Sequence, residues 1–490
     1  MTCAGETTFG VSVSVSLIID EIRRLSGVGS ILCQIFFTSV YTSPPYPLRN
    51  KKYRRTKNMP FEAGRVAPRR IAVVGAGISG MGAAHMLSAQ HNVTLIEAEP
   101  RLGGHARTIL AGKRGDQPVD TGFIVFNYAN YPHLAALFSE LDVPVTPSNM
   151  SFGASLRGGA LEYGLASMGA LFAQKRNAAN PRFLRMIRDI VHFNANAVKH
   201  SQDRTVSTGD FLAQMGTGRW FRDYYLLPLS GAIWSTPVEK IMDFPAHAMV
   251  QFFENHALLH HTGQHQWYTV QGGSVSYVSR LETAMRARGV NIRLGTPVDA
   301  VRRDTTGVRI KTQGSEWEEF DDVVFATHSD DTLRLLADAS RAERASLGAV
   351  AYQPNHVVLH ADDSIMPKRR QVWSSWNYTE VADKRSDRID LTYWMNRLQP
   401  IPQDDPHFVT LNSTRPIRED LIYDTVTLRH PVYDLAALQA QKEIAAMNGT
   451  QNTWFCGAWM KHGFHEDGLS SAVDVVEAIA NRAKLSVAAE

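Results

Sequence analysis

The sequence predicts an α/β protein in which a parallel-sheet dinucleotide core is interrupted by a mixed α+β second domain. Three observations predict it. Residues 70–97 read as strand, glycine-rich turn, helix, strand and acidic residue, all in register. Short β-branched runs and glycine turns recur near 270–328 and 454–468, far apart in the chain. Finally, 490 residues exceed what one simple core holds. Two or three units of roughly 150 residues are the expectation.

The first unit is the most explicit. Ile71 to Val74 is a short β-branched run that ends at glycine, as a strand buried on both faces should. Gly75-Ala76-Gly77-Ile78-Ser79-Gly80 then supplies G-x-G-x-x-G spacing. Gly75 permits the tight turn, Gly77 lets a pyrophosphate approach the backbone, and Gly80 allows close helix–strand packing. The helix-forming run Met81 to Gln90 follows, so amides at its start, with Ile78 and Ser79, face the phosphates. Val93 to Ile96 forms the second strand and ends at Glu97, 22 residues after Gly75, with Ala98 beside it. A carboxylate there accepts hydrogen bonds from ribose hydroxyls. This is a Rossmann-like dinucleotide site.

Composition narrows the class. Apolar residues make up 44% and charged residues 20%, which disfavours disorder. The net charge of +3 gives no sign of nucleic-acid binding. Residues 1–70 carry 11 Lys/Arg against 4 Asp/Glu, and the remainder 40 against 44, so a basic head precedes a mildly acidic body. The three cysteines, Cys3, Cys33 and Cys456, exclude a disulfide framework and favour a reducing, cytoplasmic setting. No run reaches the ~18 apolar residues of a membrane span, though association with a membrane surface stays open. In the head, the apolar run Ile31 to Tyr41 precedes the basic stretch Lys51 to Lys57, the reverse of a secretory signal. Its arginines and serines suit a mitochondrial presequence, while Glu6, Asp20 and Glu21 count against one. Residues 1–68 are read as a disordered extension, or as upstream of a true start at Met59.

Glu99-Pro-Arg-Leu-Gly-Gly-His-Ala-Arg-Thr108 follows directly. It resembles the R-x-G-G-R-x-x-[ST] signature of the flavin-containing amine oxidase and phytoene desaturase superfamily. Arg101, Gly103, Gly104 and Thr108 match, and His105 replaces the second arginine, whose charge Arg107 is placed to supply. The resemblance implies FAD as the dinucleotide and a glutathione-reductase/amine-oxidase type of domain. It also implies that Val270-Gln-Gly-Gly-Ser274 leads a helix and a pair of strands, Asn291 to Leu294 and Pro297 to Val301, with Val298 against the adenine. Asp321 to His328 resembles the strand whose Ala326-Thr327 end abuts the cofactor. Trp454 to Ala458 and Gly463 to Gly468 resemble the closing motif. There Gly457 matches, Ala458 replaces a common acidic residue, and Asp467 and Gly468 are assigned to the ribityl and flavin end. Amides of the following helix would stabilise reduced flavin.

A closer resemblance is carried by Val119 to Asn127, Asn130-Tyr-Pro132, Met150-Ser-Phe152, Ala232-Ile-Trp-Ser235 and Gly463 to Gly468. These resemble predicted NAD/FAD-binding proteins that occur fused to, or encoded near, cyclopropane-fatty-acyl-phospholipid synthases. The cofactor segments are then 69–128, 266–330 and 445–485, with 129–265 and 331–444 forming the substrate domain. The resemblance implies an FAD-dependent oxidoreductase taking a hydride from carbon onto flavin N5. A small-molecule or lipid substrate is expected, an unsaturated or modified fatty-acyl chain being preferred, and a lipid-modifying enzyme partner is compatible.

Amine oxidases commonly place an aromatic residue in the closing motif. Here Gly468-Leu-Ser-Ser-Ala472 has none, which weakens the alternative of a small amine substrate. A non-redox flavoprotein isomerase is the other alternative. Trp234, Trp267, Tyr268, Trp373, Trp376, Tyr378, Tyr393 and Trp394 either wall an apolar channel or pack the core. His256, His260, His261 and His265 lack the H-E-x-x-H pattern, and Gly263 breaks the helical register, so no metal is expected. His465 and Glu466, in the closing motif, are the candidates for contacting the flavin edge or relaying protons.

Overall fold

The computed structural model describes residues 67–489 apart from 235–240, 257, 260–264, 305–306 and 384–389. Residues 1–66 with Met59, and also Ser235, His260, His261 and Gly263, lie outside the described residues.

The G-x-G-x-x-G segment folds as β1 (Arg70–Val74), α1 (Ile78–Leu87) and β2 (Asn92–Ile96). With β3 (Asn291–Arg293), β4 (Asp322–Phe325) and β5 (Thr453–Phe455) they make a five-stranded sheet in the order β3-β2-β1-β4-β5. Every pairing in it is parallel. A parallel sheet needs both faces covered, and the alternation of β1 shows how. Ile71 and Val73 pack on the side of α1, α2 (Val275–Ala287) and α3 (His465–Ala489). Ala72 and Val74 pack on the other side, against a three-stranded antiparallel sheet (Val298–Arg303, Val308–Thr312, Trp317–Phe320) and helix Leu435–Met447.

The expected pair of strands at 291–294 and 297–301 is divided between these two sheets. Gly295, at φ +59°, turns the chain, and the amides of Gly295 and Thr296 donate to Glu99 O and Glu97 O at 2.9 and 2.8 Å. Backbone pairing to the end of β2 therefore outcompetes a local hairpin.

A seven-stranded sheet forms the second layer system, with Ile422–Val432 and Ala351–His360 at one end and Phe152–Leu156 and Leu161–Gly164 at the other. Its core is shared with helices Pro181–His200 and Ala246–Asn255. Of the aromatic residues expected either to wall a channel or to pack the core, Trp373 and Trp394 pack a small core with Met366 and Phe408.

Candidate functional site

The glycine turn is built for a close visitor. Gly75 has φ +98°, and a Cβ there would meet Ala326 O at 3.0 Å. A Cβ on Gly80 would lie 1.8 Å from Gly75 O. Gly77 differs: its backbone is extended, and an added Cβ would meet nothing within 4 Å. No side chain caps the helix that starts there, so its first amides point into that open space.

Gly103 and Gly104 close over this turn. Gly103 N donates to Ala76 O at 2.9 Å, and Gly104, at φ +55°, would bring a Cβ to 3.0 Å from Gly77 Cα. Arg101 braces the loop by donating to the carbonyls of Gly104, Leu102 and Ala106. Arg107 does not supply the charge missing at His105, because Asp424 engages it at 2.5 and 3.1 Å. Thr108 donates to the buried Asp120, which also accepts from Ser274 and Gln399.

Glu97, the residue expected at the ribose, follows β2 beside the glycine turn. Its carboxylate accepts from Ala76 N at 2.6 Å and Glu99 N at 2.8 Å, with Ala98 between. Val298 follows two residues after Thr296, whose amide is tied to Glu97, so the adenine candidate lies next to the ribose candidate. Ala326 N donates to Val74 O, and Thr327 O accepts from the buried Trp459 indole at 3.0 Å.

The C-terminal motif arrives from the other side. A Cβ on Gly468 would sit 2.8 Å from Ser79 Oγ and 3.0 Å from Ile78 Cγ2. The first turn of α3 is thereby packed on the first turn of α1, and two helix N-termini converge. Asp467 closes back on α3, accepting from Phe464 N at 2.9 Å, and burial raises its carboxyl. Gly457, at φ +156°, donates to Ser471 Oγ. Convergent N-termini beside a side-chain-free cradle match an anionic pyrophosphate.

The two catalytic candidates separate. His465 stacks on Phe123 at 3.9 Å, and its Nε2 lies 2.7 Å from Tyr277 Oη. Burial and the nearby His105 lower its imidazole to about 3. Glu466 has another task. Its two oxygens accept from His133 N and Leu134 N at 2.9 Å each, which caps helix Pro132–Glu140.

Two further histidines join His105 and His465. The His105 ring lies 5.8 Å from His328 and 5.5 Å from His430. All four are part-exposed. Burial holds them neutral, His105 at about 4 and His328 and His430 at about 3. Three of them end sequence motifs, after Gly103-Gly104, Ala326-Thr327 and Gly463-Phe464. His328 was therefore findable from sequence. His430, on strand Ile422–Val432, carried no local signal.

His328 lies with Asp330 and Asp331 in a spacing that suits a metal ion. Arg429 occupies both carboxylates at 2.5 Å, so an ion pair already satisfies them. On the far side, Phe464 stacks on Phe252 at 4.8 Å, and His256 stacks on Phe252 at 3.8 Å, 6.3 Å from Trp267. This aromatic cluster, with Phe252 in the core and Phe464 packed against it, begins one residue from His465.

Comparison with known proteins agrees with this geometry. L-amino-acid oxidase of Gloydius blomhoffii is 49% identical over 49 residues, 10% of each chain. The chain thus aligns with about a tenth of the length of the curated relatives it matches. The fatty acid isomerase from P. acnes, described as CLA-producing, shares the fold with a TM-score of 0.60 at 15% identity, over 84% of this chain and 98% of its own. Cyclohexylamine oxidase from Brevibacterium oxydans does so with 0.61 at 15% identity, over 85% and 99%. Residues 78–366, more than half the chain, match the family model described as flavin containing amine oxidoreductase. The chain belongs to that family.

Proposed function

We propose that the chain holds FAD across the junction of α1 and α3 and uses it to take a hydride from a carbon centre of an apolar substrate. The carrying observation is the convergence of two helix N-termini on the open cradle at Gly77. In this reading Gly75, Gly77, Ile78, Ser79 and Gly80 receive the pyrophosphate, with Gly103 and Gly104 above it. Glu97 and Ala98 take the ribose and Val298 the adenine. Arg101, His105, Thr108, Ala326, Thr327, Gly457, Asp467 and Gly468 line the rest. Bound flavin supplies two-electron chemistry, and the protein supplies position, electrostatics and exclusion of water. Tyr277 and Phe123 fix the ring of His465, the residue of the closing motif best placed to contact the flavin edge.

For the substrate, the part-exposed Phe464 and Trp267 of the aromatic cluster beside His465 support an apolar molecule. The resemblance to proteins associated with cyclopropane-fatty-acyl-phospholipid synthases supplies the lipid end of the reading. An unsaturated or modified fatty-acyl chain is the proposed class, met in solution or at a membrane surface. No helix among the described residues is long and apolar enough to cross a membrane. The test is anaerobic flavin reduction: bleaching by unsaturated fatty acids and not by amines is expected. Bleaching by amines alone moves the assignment to amine oxidation. A shifted double bond without net bleaching moves it to isomerisation.

A further inference from the structure

Among these four histidines, His430 is distinguished by what lies behind it. The chain starts at a group with no choice of role. The backbone amide of His356 is a donor, and it donates to Asn412 Oδ1 at 2.9 Å. Asn412 Nδ2 must therefore be its amide nitrogen, and it donates to Asn355 Oδ1 at 2.7 Å. That fixes Asn355 in turn, so Asn355 Nδ2 donates to His430 Nδ1 at 2.8 Å. An imidazole nitrogen that accepts carries no hydrogen, so the neutral ring bears its hydrogen on Nε2.

The relay is buried and costs backbone strain. Asn355 is 1% exposed and Asn412 8%. Asn412 sits at φ +52°, in the left-handed region that Asn tolerates better than most residues. Its own amide donates to His356 O at 2.8 Å, so side chain and backbone together clamp it to that residue. These two bonds also close the ladder between strands Ala351–His360 and Phe408–Leu411, one residue beyond the Val357–Leu411 pair. The result of the relay is one defined tautomer.

The ring of His430 is part-exposed. His105 lies beside it at 5.5 Å, and Nε2 has no hydrogen-bond partner among the described residues. The nearby charges are already matched, Arg429 by Asp330 and Asp331, and Arg107 by Asp424. What the relay presents is a neutral, oriented N–H donor in a desolvated site, where such donors act strongly on developing charge.

We propose that His430 is an active-site hydrogen-bond donor of fixed tautomer, presented through Asn412 and Asn355, and that it stabilises the negative charge placed on the flavin by reduction. This rests on the flavin reading of the site. Hydride transfer moves two electrons and one hydrogen nucleus, so the acceptor gains one negative charge and a preorganised donor beside it favours the reduced form.

The test uses FAD-loaded protein labelled with ring 15N-histidine. NMR should show His430, assigned by loss of its signals in His430→Gln, with a pyridine-like Nδ1 and a protonated Nε2 from about pH 5 to pH 8. Asn355→Asp, which sets an acceptor against Nδ1, should move the hydrogen to Nδ1 or charge the ring. His430→Leu should weaken stabilisation of reduced over oxidised flavin by about tenfold, read from the midpoint potential. A wild-type ring protonated at Nδ1, or a potential unmoved in His430→Leu, overturns the proposal. Flavin content measured on the same samples tests the cofactor reading separately, because the tautomer can be read with or without FAD.

Discussion

Gly77 and Gly80 sit three residues apart in one turn, and a methyl group has opposite consequences at them. At Gly80 it would lie 1.8 Å from the Gly75 carbonyl oxygen and 3.1 Å from Ala326 Cβ, neither of which can swing aside. Gly80→Ala should destabilise the fold by on the order of 3 kcal/mol, measured by denaturant unfolding. Glu466→Ala should cost about 1–2 kcal/mol through the lost cap on helix Pro132–Glu140, with flavin content retained. The glycine roles were legible because their chemistry is local: spacing alone puts a turn, a close approach and a packing contact in order. The role of Glu466 was not legible. Its partners are 333 and 332 residues away, and only the fold brings them together.

At the scale of elements, the parallel sheet is tied by one carboxylate. Asp322 opens β4 and is fully buried. It accepts from Arg69 Nε and Arg482 Nη2 at 2.5 Å and from the Trp454 indole at 3.1 Å, joining the entry to β1, the length of α3 and strand β5. Asp322→Ala removes the carboxylate that Arg69 and Arg482 share. Since both reach solvent, the loss should be about 3 kcal/mol, the lower end for a broken buried pair, checked by chemical denaturation. The β1–α1–β2 unit was readable from hydrophobic runs and glycines. The order β3-β2-β1-β4-β5 was not, because strands hundreds of residues apart are matched by shape and burial. The division of 291–294 and 297–301 between two sheets shows the same limit. Local alternation reports a strand but says nothing of its neighbour.

At the scale of the molecule, the buried histidines set the response to acid. His105, His256, His328, His360, His430 and His465 are held neutral by burial, with values lowered to between about 3 and about 4. In the unfolded chain they take up protons near 6.5. Below that pH the unfolded state binds more protons, so stability falls as pH drops from about 6.5 toward 4. Asp120 acts oppositely: burial raises its carboxyl to about 6, a contribution present at low pH and lost as pH rises through that value. Burial raises the carboxyls of Glu466 and Asp467 in the same direction as Asp120, and the six histidines outnumber these three groups. Thermal unfolding should therefore show a continuous loss of stability over that window, and a flat profile would show that the imidazoles are not neutral in the folded protein.

The same scale holds the central claim, that FAD lies where α1 and α3 begin. Gly77→Ala tests it most directly. Its Cβ would stand in open space, so the apoprotein should unfold within about 0.5 kcal/mol of wild type. The methyl group would nevertheless intrude where the pyrophosphate meets the backbone, and the FAD dissociation constant should rise by at least ~10-fold. Unchanged stability with weakened FAD binding is the expected result. Wild-type affinity for FAD in a fully folded Gly77→Ala protein would contradict it.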